Sequence, residues 1–192
     1  MKYKKWNLAA PERSAVEGLR RAGLPALAAL VLCARGLDDP AAAQDFLSAG
    51  EAPLHDPFLL RDMDKAAARL TLALERGESI AVYGDYDVDG ITSTCLLTQF
   101  LRSRGGQVIP YIPDRLEEGY GLNREAVDHL HQAGVSLIVT VDCGITAAAE
   151  TEYANSLGME VIITDHHECK EVLPAAAAVV DPHRSDCGYP FP

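Results

Sequence analysis

Gly84-Asp85-Tyr86-Asp87-Val88-Asp89-Gly90 follows the apolar run Ser79-Ile80-Ala81-Val82-Tyr83 and precedes a stretch with helical spacing, Ile91 to Arg104. A short continuous apolar run, a polar turn with glycine at both ends and then a helix is the first half of a βαβ unit. Gly105-Gly106 stops the helix, and Gln107 to Ile112 reads as a second strand. The three aspartates therefore stand at the carboxyl end of a buried strand.

The same alternation continues downstream. Asn123 to Ala133 reads as a helix with Val127 and Leu130 inward, ended by Gly134. Leu137 to Val141 is a third strand, Thr146 to Leu157 a helix, Glu160 to Thr164 a fourth strand and Ala177 to Val180 a fifth. Upstream, Asp62 stands where a helix N-cap would, before the apolar face Met63, Ala66, Ala67, Leu70 and Leu74, with Gly77 at the end. Apolar strands separated by helices imply a parallel sheet covered on both faces. The expected fold is α/β: a five-stranded, mostly parallel sheet in the order 2-1-3-4-5, flanked by helices on both faces.

Residues 1–56 read as a small helical amino-terminal element. Pro11 opens a helical pattern through Ala15, Val16, Leu19 and Ala22 that Gly23 closes. Asp39-Pro40 reads as N-cap and first-turn proline of a helix ending near Leu47. Ala52 to Pro57 reads as a linker, so the α/β domain is expected over 57–192. No apolar run approaches the roughly 20 residues of a membrane span. The opening MKYKKWNLAAPERS lacks the apolar stretch and cleavage site of a secretory signal. A cytoplasmic protein is expected, with no membrane partner. The five cysteines are scattered and include no C-x-x-C pair, which argues against a disulfide framework and a zinc knuckle.

The 192 residues carry 17 Lys and Arg against 28 Asp and Glu, a net charge of −11. That sign opposes capture of nucleic acid by charge alone. Bound divalent cations would add about +4 locally. The acids gather where such ions would serve. The third strand runs into Asp142-Cys143-Gly144 and the fourth into Asp165-His166-His167-Glu168; the second ends in Pro113-Asp114-Arg115 and the fifth in Asp181-Pro182-His183. In the expected order the first, third and fourth strands are neighbours, and ligands bind beyond the carboxyl ends of such strands at the switch point. So many carboxylates in one cleft call for a counter-charge. Mixed carboxylate and imidazole ligands suit manganese better than calcium, and the want of thiolates argues against structural zinc.

Singly, each segment has a plainer reading. Asp85, Asp87 and Asp89 share a face if extended, or form an acidic turn in which Asp89 caps the next helix. They also resemble half an EF-hand loop, but a strand precedes them and position 12 counted from Asp85 is Leu96, not glutamate. Asp142 alone reads equally as a cap for the helix near Thr146. His166 and His167 alone read as loop histidines. Their joint occurrence at three strand ends favours a metal site.

GDYDVDG (84–90), VDCG (141–144) and the triplet Asp165-His166-His167, in this order and spacing, resemble the DHH phosphoesterase family, which is named for that triplet. Two further segments, YIPDRLEEGYGLN (111–123) and DPHRSDCGYPFP (181–192), are similar to its single-strand-specific exonucleases. The resemblance covers nearly the whole chain. It implies a manganese-dependent 5′-to-3′ exonuclease on single-stranded DNA, with two ions and magnesium as an alternative, acting in DNA repair and recombination beside other such proteins. It implies that Asp87 and Asp142 hold one metal, with Asp85 as ligand or close support. Asp89, Asp142 and His166 would hold the other, so that Asp142 bridges. His167 would face the substrate phosphate, Asp165 would orient the imidazoles, and Arg115 is weighed equally as a second phosphate contact and as a surface arginine. Some members have histidine where this chain has Tyr83, and a further aspartate motif of the family lies beyond residue 192, so the catalytic domain is expected to be incomplete at its carboxyl end. The alternatives are a DHH enzyme acting on short oligonucleotides, cyclic dinucleotides or pyrophosphate, and a non-catalytic fragment that binds a partner.

Overall fold

The structure, a computed structural model, describes residues 8–48, 55–116 and 119–190. Residues 1–7 of the opening segment, the 52–54 part of the expected linker, Glu117, Glu118 and the final Phe191-Pro192 lie outside the described residues. The chain divides into two compact units, Met1–Leu54 and His55–Pro192.

The first unit contains α1 (Arg13–Arg21), α2 (Ala26–Ala34) and α3 (Pro40–Leu47). Leu19, Ala29, Leu32 and Ala43 form its buried centre, with Val16, Leu24, Cys33 and Leu37 packed around them. Asp39 starts α3 as the residue pair Asp39-Pro40 requires: its carboxylate accepts from the Ala42 N–H at 2.9 Å, and proline takes a position whose N–H has no partner within the helix.

The second unit is a doubly wound α/β fold. Its elements are a 3₁₀ turn at Pro57–Leu59, then α4 (Met63–Arg76), β1 (Ser79–Tyr83), α5 (Val88–Ser103), β2 (Gln107–Tyr111), α6 (Arg124–Gln132), β3 (Leu137–Val141), α7 (Ala148–Ser156), β4 (Glu160–Thr164) and β5 (Ala178–Val180). The sheet order is β2-β1-β3-β4-β5, and every pairing is parallel. Side chains alternate strictly. Ala81, Tyr83, Ile138, Val161, Ile163 and Val179 face the layer of α6 and α7, whose Val127, Leu130 and Ala154 are fully buried. Ile80, Val82, Leu137, Val139, Ile162 and Val180 face α4 and α5, which contribute Ala66, Ala73 and Leu101. Burial on both sides explains why the strands read as unbroken apolar runs.

Three local readings need correction. Asp62 lies before α4 at φ 62° but makes no side-chain cap to that helix. Its carboxylate is drawn away by Lys65 at 2.6 Å and Arg184 at 2.7 Å. The helix after β1 begins at Val88, and its N-cap is Asp87 rather than Asp89. The helix after β3 begins only at Ala148, after Ala147, so Asp142 caps nothing. The sheet itself agrees with the expectation in strand number, order and flanking helices.

Candidate metal centre

Parallel pairing sets the depth of each strand end. Val141 lies opposite Thr164 and Thr164 opposite Val180. The ladder runs one residue further: the N–H of Asp142 donates to Thr164 O at 3.1 Å, and that of Asp165 to Val180 O at 3.0 Å. Each chain then turns out of the sheet with a carboxylate at the turn. Beside them β1 leaves the sheet through Gly84 and Asp85.

That exit leaves no room for side chains at either end of the GDYDVDG segment. A Cβ on Gly84 would lie 2.0 Å from Thr94 Oγ1, and one on Gly90 would lie 2.4 Å from both the N and the O of Asp85. The first turn of α5 thus rests directly on the backbone of Asp85. Asp87 Oδ1 accepts from the N–H groups of Asp89 and Gly90 at 2.9 and 3.0 Å. Fixed this way, the three aspartates do not share an extended face. Asp85 is buried, Asp87 caps and Asp89 projects from the first turn.

Asp142 is the centre of the arrangement. One ligand atom each from Asp85, Asp87 and Asp142 lie within 4.8 Å of one another, and so do one each from Asp142, His166 and His167. His166 Nε2 lies 2.9 Å from Asp142 Oδ1 and 3.9 Å from Asp89 Oδ2. Asp142 has φ 60°, one of only two non-glycine residues at positive φ among the described residues. Such backbone is costly for an L-residue, and it clusters where function demands a side chain in one place. Burial raises the pKa of Asp142; the hydrogen bond with His166 opposes this, and the charges of Asp89 and Asp87 add to it.

Asp165 organises the histidine pair. One carboxylate oxygen accepts from the backbone N–H groups of His166 and His167, at 2.7 and 3.2 Å, and meets His167 Nδ1 at 2.7 Å. The other accepts from the Ile145 N–H at 2.9 Å. The hydrogen bond to Asp165 raises the pKa of His167 against the opposing effect of burial, and Asp142 and Asp85 raise it further. With Nδ1 committed to Asp165, Nε2 is the atom His167 can offer to a ligand.

Of the residues marked in the sequence, the structure gathers Asp85, Asp87, Asp89, Asp142, Asp165, His166 and His167. Arg115 is exposed and stacks on Tyr86, its guanidinium carbon 5.1 Å from the ring centroid. Asp181 is fully buried and accepts from the His183 N–H at 2.7 Å. Cys143 points into the core toward Tyr83 O, and burial, with Asp165, Asp85 and Asp142 nearby, holds its thiol far above the ordinary range. Its sulfur lies in neither ligand group, which leaves an oxygen and imidazole donor set. Such a set fits a hard or borderline divalent ion. Sequence reading missed Tyr120, whose hydroxyl lies 3.3 Å from His167 Nδ1 and 3.5 Å from Nε2. A tyrosine between two glycines in a polar loop gives no period or charge signal that would mark it.

Comparison with known proteins adds an independent line. The family described as DHH family, N-terminal domain, matches residues 79–189. The chain is 42% identical over 188 residues to the single-stranded-DNA-specific exonuclease RecJ of Bacillus subtilis (strain 168), covering 97% of this chain and 24% of that protein. To the protein of the same name from Escherichia coli (strain K12) it is 48% identical over 132 residues, 68% of this chain and 23% of the relative. Among solved structures, RecJ in complex with Mn2+ from Thermus thermophilus aligns with a TM-score of 0.69 at 33% identity, over 94% of this chain and 25% of that one. A crystal structure of exonuclease RecJ bound to manganese aligns at 0.63 and 44% identity, over 70% of this chain and 34% of that one. The chain spans about a quarter of the length of the curated relatives it matches.

Proposed function

Because the chain belongs to the DHH family, we propose that it is the metal-binding catalytic part of a RecJ-like exonuclease that degrades single-stranded DNA from the 5′ end. The observation that carries this reading is the central place of Asp142: its carboxylate groups with Asp85 and Asp87 and also meets His166 Nε2 at 2.9 Å, itself 3.9 Å from Asp89. Two ions bridged by one carboxylate form the arrangement used for phosphodiester hydrolysis. In this reading residues 57–192 form the catalytic domain, and a longer protein completes it.

Asp87 and Asp142, supported by Asp85, would hold one ion. Asp89, Asp142 and His166 would hold the other. Manganese is the preferred ion, with magnesium as the alternative; RecJ structures similar to this chain are described with each. When bound, the pair supplies an activated water and positive charge at the scissile phosphate. The chain's own residues do the rest. Asp165 fixes the tautomer and direction of His167 and favours its protonated form. His167 Nε2 is then free to donate to a phosphate oxygen as negative charge develops there. Arg115, held on the face of Tyr86, stands at the rim of the same wall and serves as a second cation for the strand.

The test is release of mononucleotides from 5′-labelled single-stranded and duplex DNA by a protein of the relatives' full length, with manganese and with chelator. Manganese-dependent release confined to the single strand is expected. Asp142→Ala should lower the rate at least a hundredfold, in the range of losing a group essential to charge stabilisation (about 10² to 10³). Retention of more than a tenth of the wild-type rate at saturating manganese would rule out the bridging role.

A further inference from the structure

We propose that Tyr120 is a further phosphate-contacting residue of this site, its hydroxyl converging with His167 Nε2 on the same anionic oxygen. The proposal rests on the reading that a phosphodiester is bound here. His167 Nδ1 is committed to Asp165 at 2.7 Å. Tyr120 Oη nevertheless lies at similar distances from both ring nitrogens, 3.3 and 3.5 Å. The rings meet edge to face at 74° with centroids 5.9 Å apart. The hydroxyl therefore stands beside the imidazole rather than in line with either nitrogen. From there it can turn its proton toward a third atom in front of Nε2. A phenol is an O–H donor at neutral pH, and donors to an anion form the stronger class of hydrogen bond.

The rest of the wall holds this geometry. Buried Tyr83 donates to Gly121 O at 2.8 Å, and Asn123 Nδ2 donates to Tyr83 Oη at 3.3 Å. The residue after Tyr120 is thereby tied to β1. Tyr86 packs on Tyr120 at 78° and 6.4 Å, and Arg115 lies over Tyr86 at 5.1 Å. Guanidinium, two phenols and two imidazoles thus follow one another in a row that ends at His166, whose Nε2 meets Asp142 at 2.9 Å. Tyr120 itself is half exposed, so it is not held there by burial in a core. Among the described residues of this row, it is also the one hydroxyl recorded in hydrogen-bonding reach of an imidazole.

The experiment compares wild type and Tyr120→Phe in the full-length protein with two readouts: manganese-dependent hydrolysis of a single-stranded oligonucleotide, and calorimetric binding of inorganic phosphate to the manganese-loaded protein. The variant is expected to lose about 10- to 100-fold in kcat/KM and about tenfold in phosphate affinity. Its Tm and its manganese affinity should match wild type. Unchanged phosphate affinity in Tyr120→Phe overturns the proposal, whatever happens to kcat. So does a loss of hydrolysis that tracks a fall in Tm or in manganese affinity, because that is a structural role. If the wild type proves inactive on single-stranded DNA yet binds phosphate about tenfold more tightly than Tyr120→Phe, the exonuclease reading fails and the phosphate contact stands.

Discussion

Asp142 is where function and stability oppose each other most directly. Its backbone is left-handed, its carboxylate is buried beside Asp85 and Asp87, and without a metal the side chain that meets it among the described residues is His166. Glycine would remove the strain and the like charge together. Asp142→Gly is therefore expected to raise the metal-free Tm by about 3 °C, the equivalent of about 1 kcal/mol of relieved backbone strain, and to abolish hydrolysis. Asp142→Ala keeps a Cβ at positive φ and should abolish hydrolysis without that gain. Calorimetry in chelator on all three proteins decides; equal Tm values for glycine and alanine would show that the backbone at 142 is unstrained. At this scale the sequence marked acids that the fold does bring together, because each stands just beyond an apolar strand. It did not expose their conformations. Whether Asp87 or Asp89 caps α5 depends on how closely Gly90 approaches Asp85, and that distance is fixed by packing rather than by residue type. Tyr120 was invisible for the same reason: its position follows from Tyr83 holding Gly121 across 38 residues.

Between elements, the contact that sequence patterning could least reveal is the one that fastens the end of β5 to the start of α4. Arg184 donates to Asp62 at 2.7 Å and to Asp186 through two nitrogens at 2.9 Å each, and also to Val179 O. Burial alone would raise the Asp62 carboxyl, but hydrogen bonds from Lys65, Arg184 and the Val179 N–H outweigh it and hold the group at about 2. A carboxyl with a depressed folded pKa stabilises the fold above its ordinary pKa of 3.8, and this contribution fades as pH falls toward 2. Arg184→Met should cost about 3 kcal/mol at pH 7, since it leaves the largely shielded Asp62 carboxylate with Lys65 as its remaining cation among the described residues. The difference in stability from wild type should narrow between about pH 4 and about pH 2, as wild type loses what the variant already lacks. Denaturant titrations at both pH values test this; a difference that stays constant would mean that the ion pair adds nothing and only packing was lost. The helices and strands themselves were legible because their apolar periods are unambiguous: β3 is buried at all five positions and α6 shows its inner face as Val127 and Leu130. Asp62 misled because an acid before an apolar helical face looks like a cap, and a partner 122 residues away overrides that local preference.

For the whole chain, charge separates two tasks that catalysis must combine. Ion binding is local: it needs the carboxylates at the strand ends, and those are present. Strand capture is distributed over a surface, and a net charge of −11 repels a polyanion over about 8 Å at physiological salt. The chain spans about a quarter of its curated relatives, so the proposed function assigns strand capture mainly to the rest of a longer protein, with its basic and stacking surfaces. The isolated 192-residue chain should accordingly bind manganese without gripping DNA. Manganese at about a hundred times its Kd would stabilise the folded chain by about 2.7 kcal/mol, seen as a rise in Tm that Asp142→Gly removes. Turnover on single-stranded DNA should stay below about a hundredth of that of a protein of the relatives' full length, because in the proposed function the gripping surface belongs to the rest of that longer protein. Salt should separate the two proteins further. Full-length binding should weaken between about 50 and 200 mM salt as released counterions lose their advantage. The residual binding of the chain alone should hold steady or strengthen, because screening relieves its repulsion. If the isolated chain binds DNA with the full-length salt slope, its acidic surface is not the barrier that its net charge implies, and strand capture must be reassigned to the neighbourhood of Arg115 and the two tyrosines.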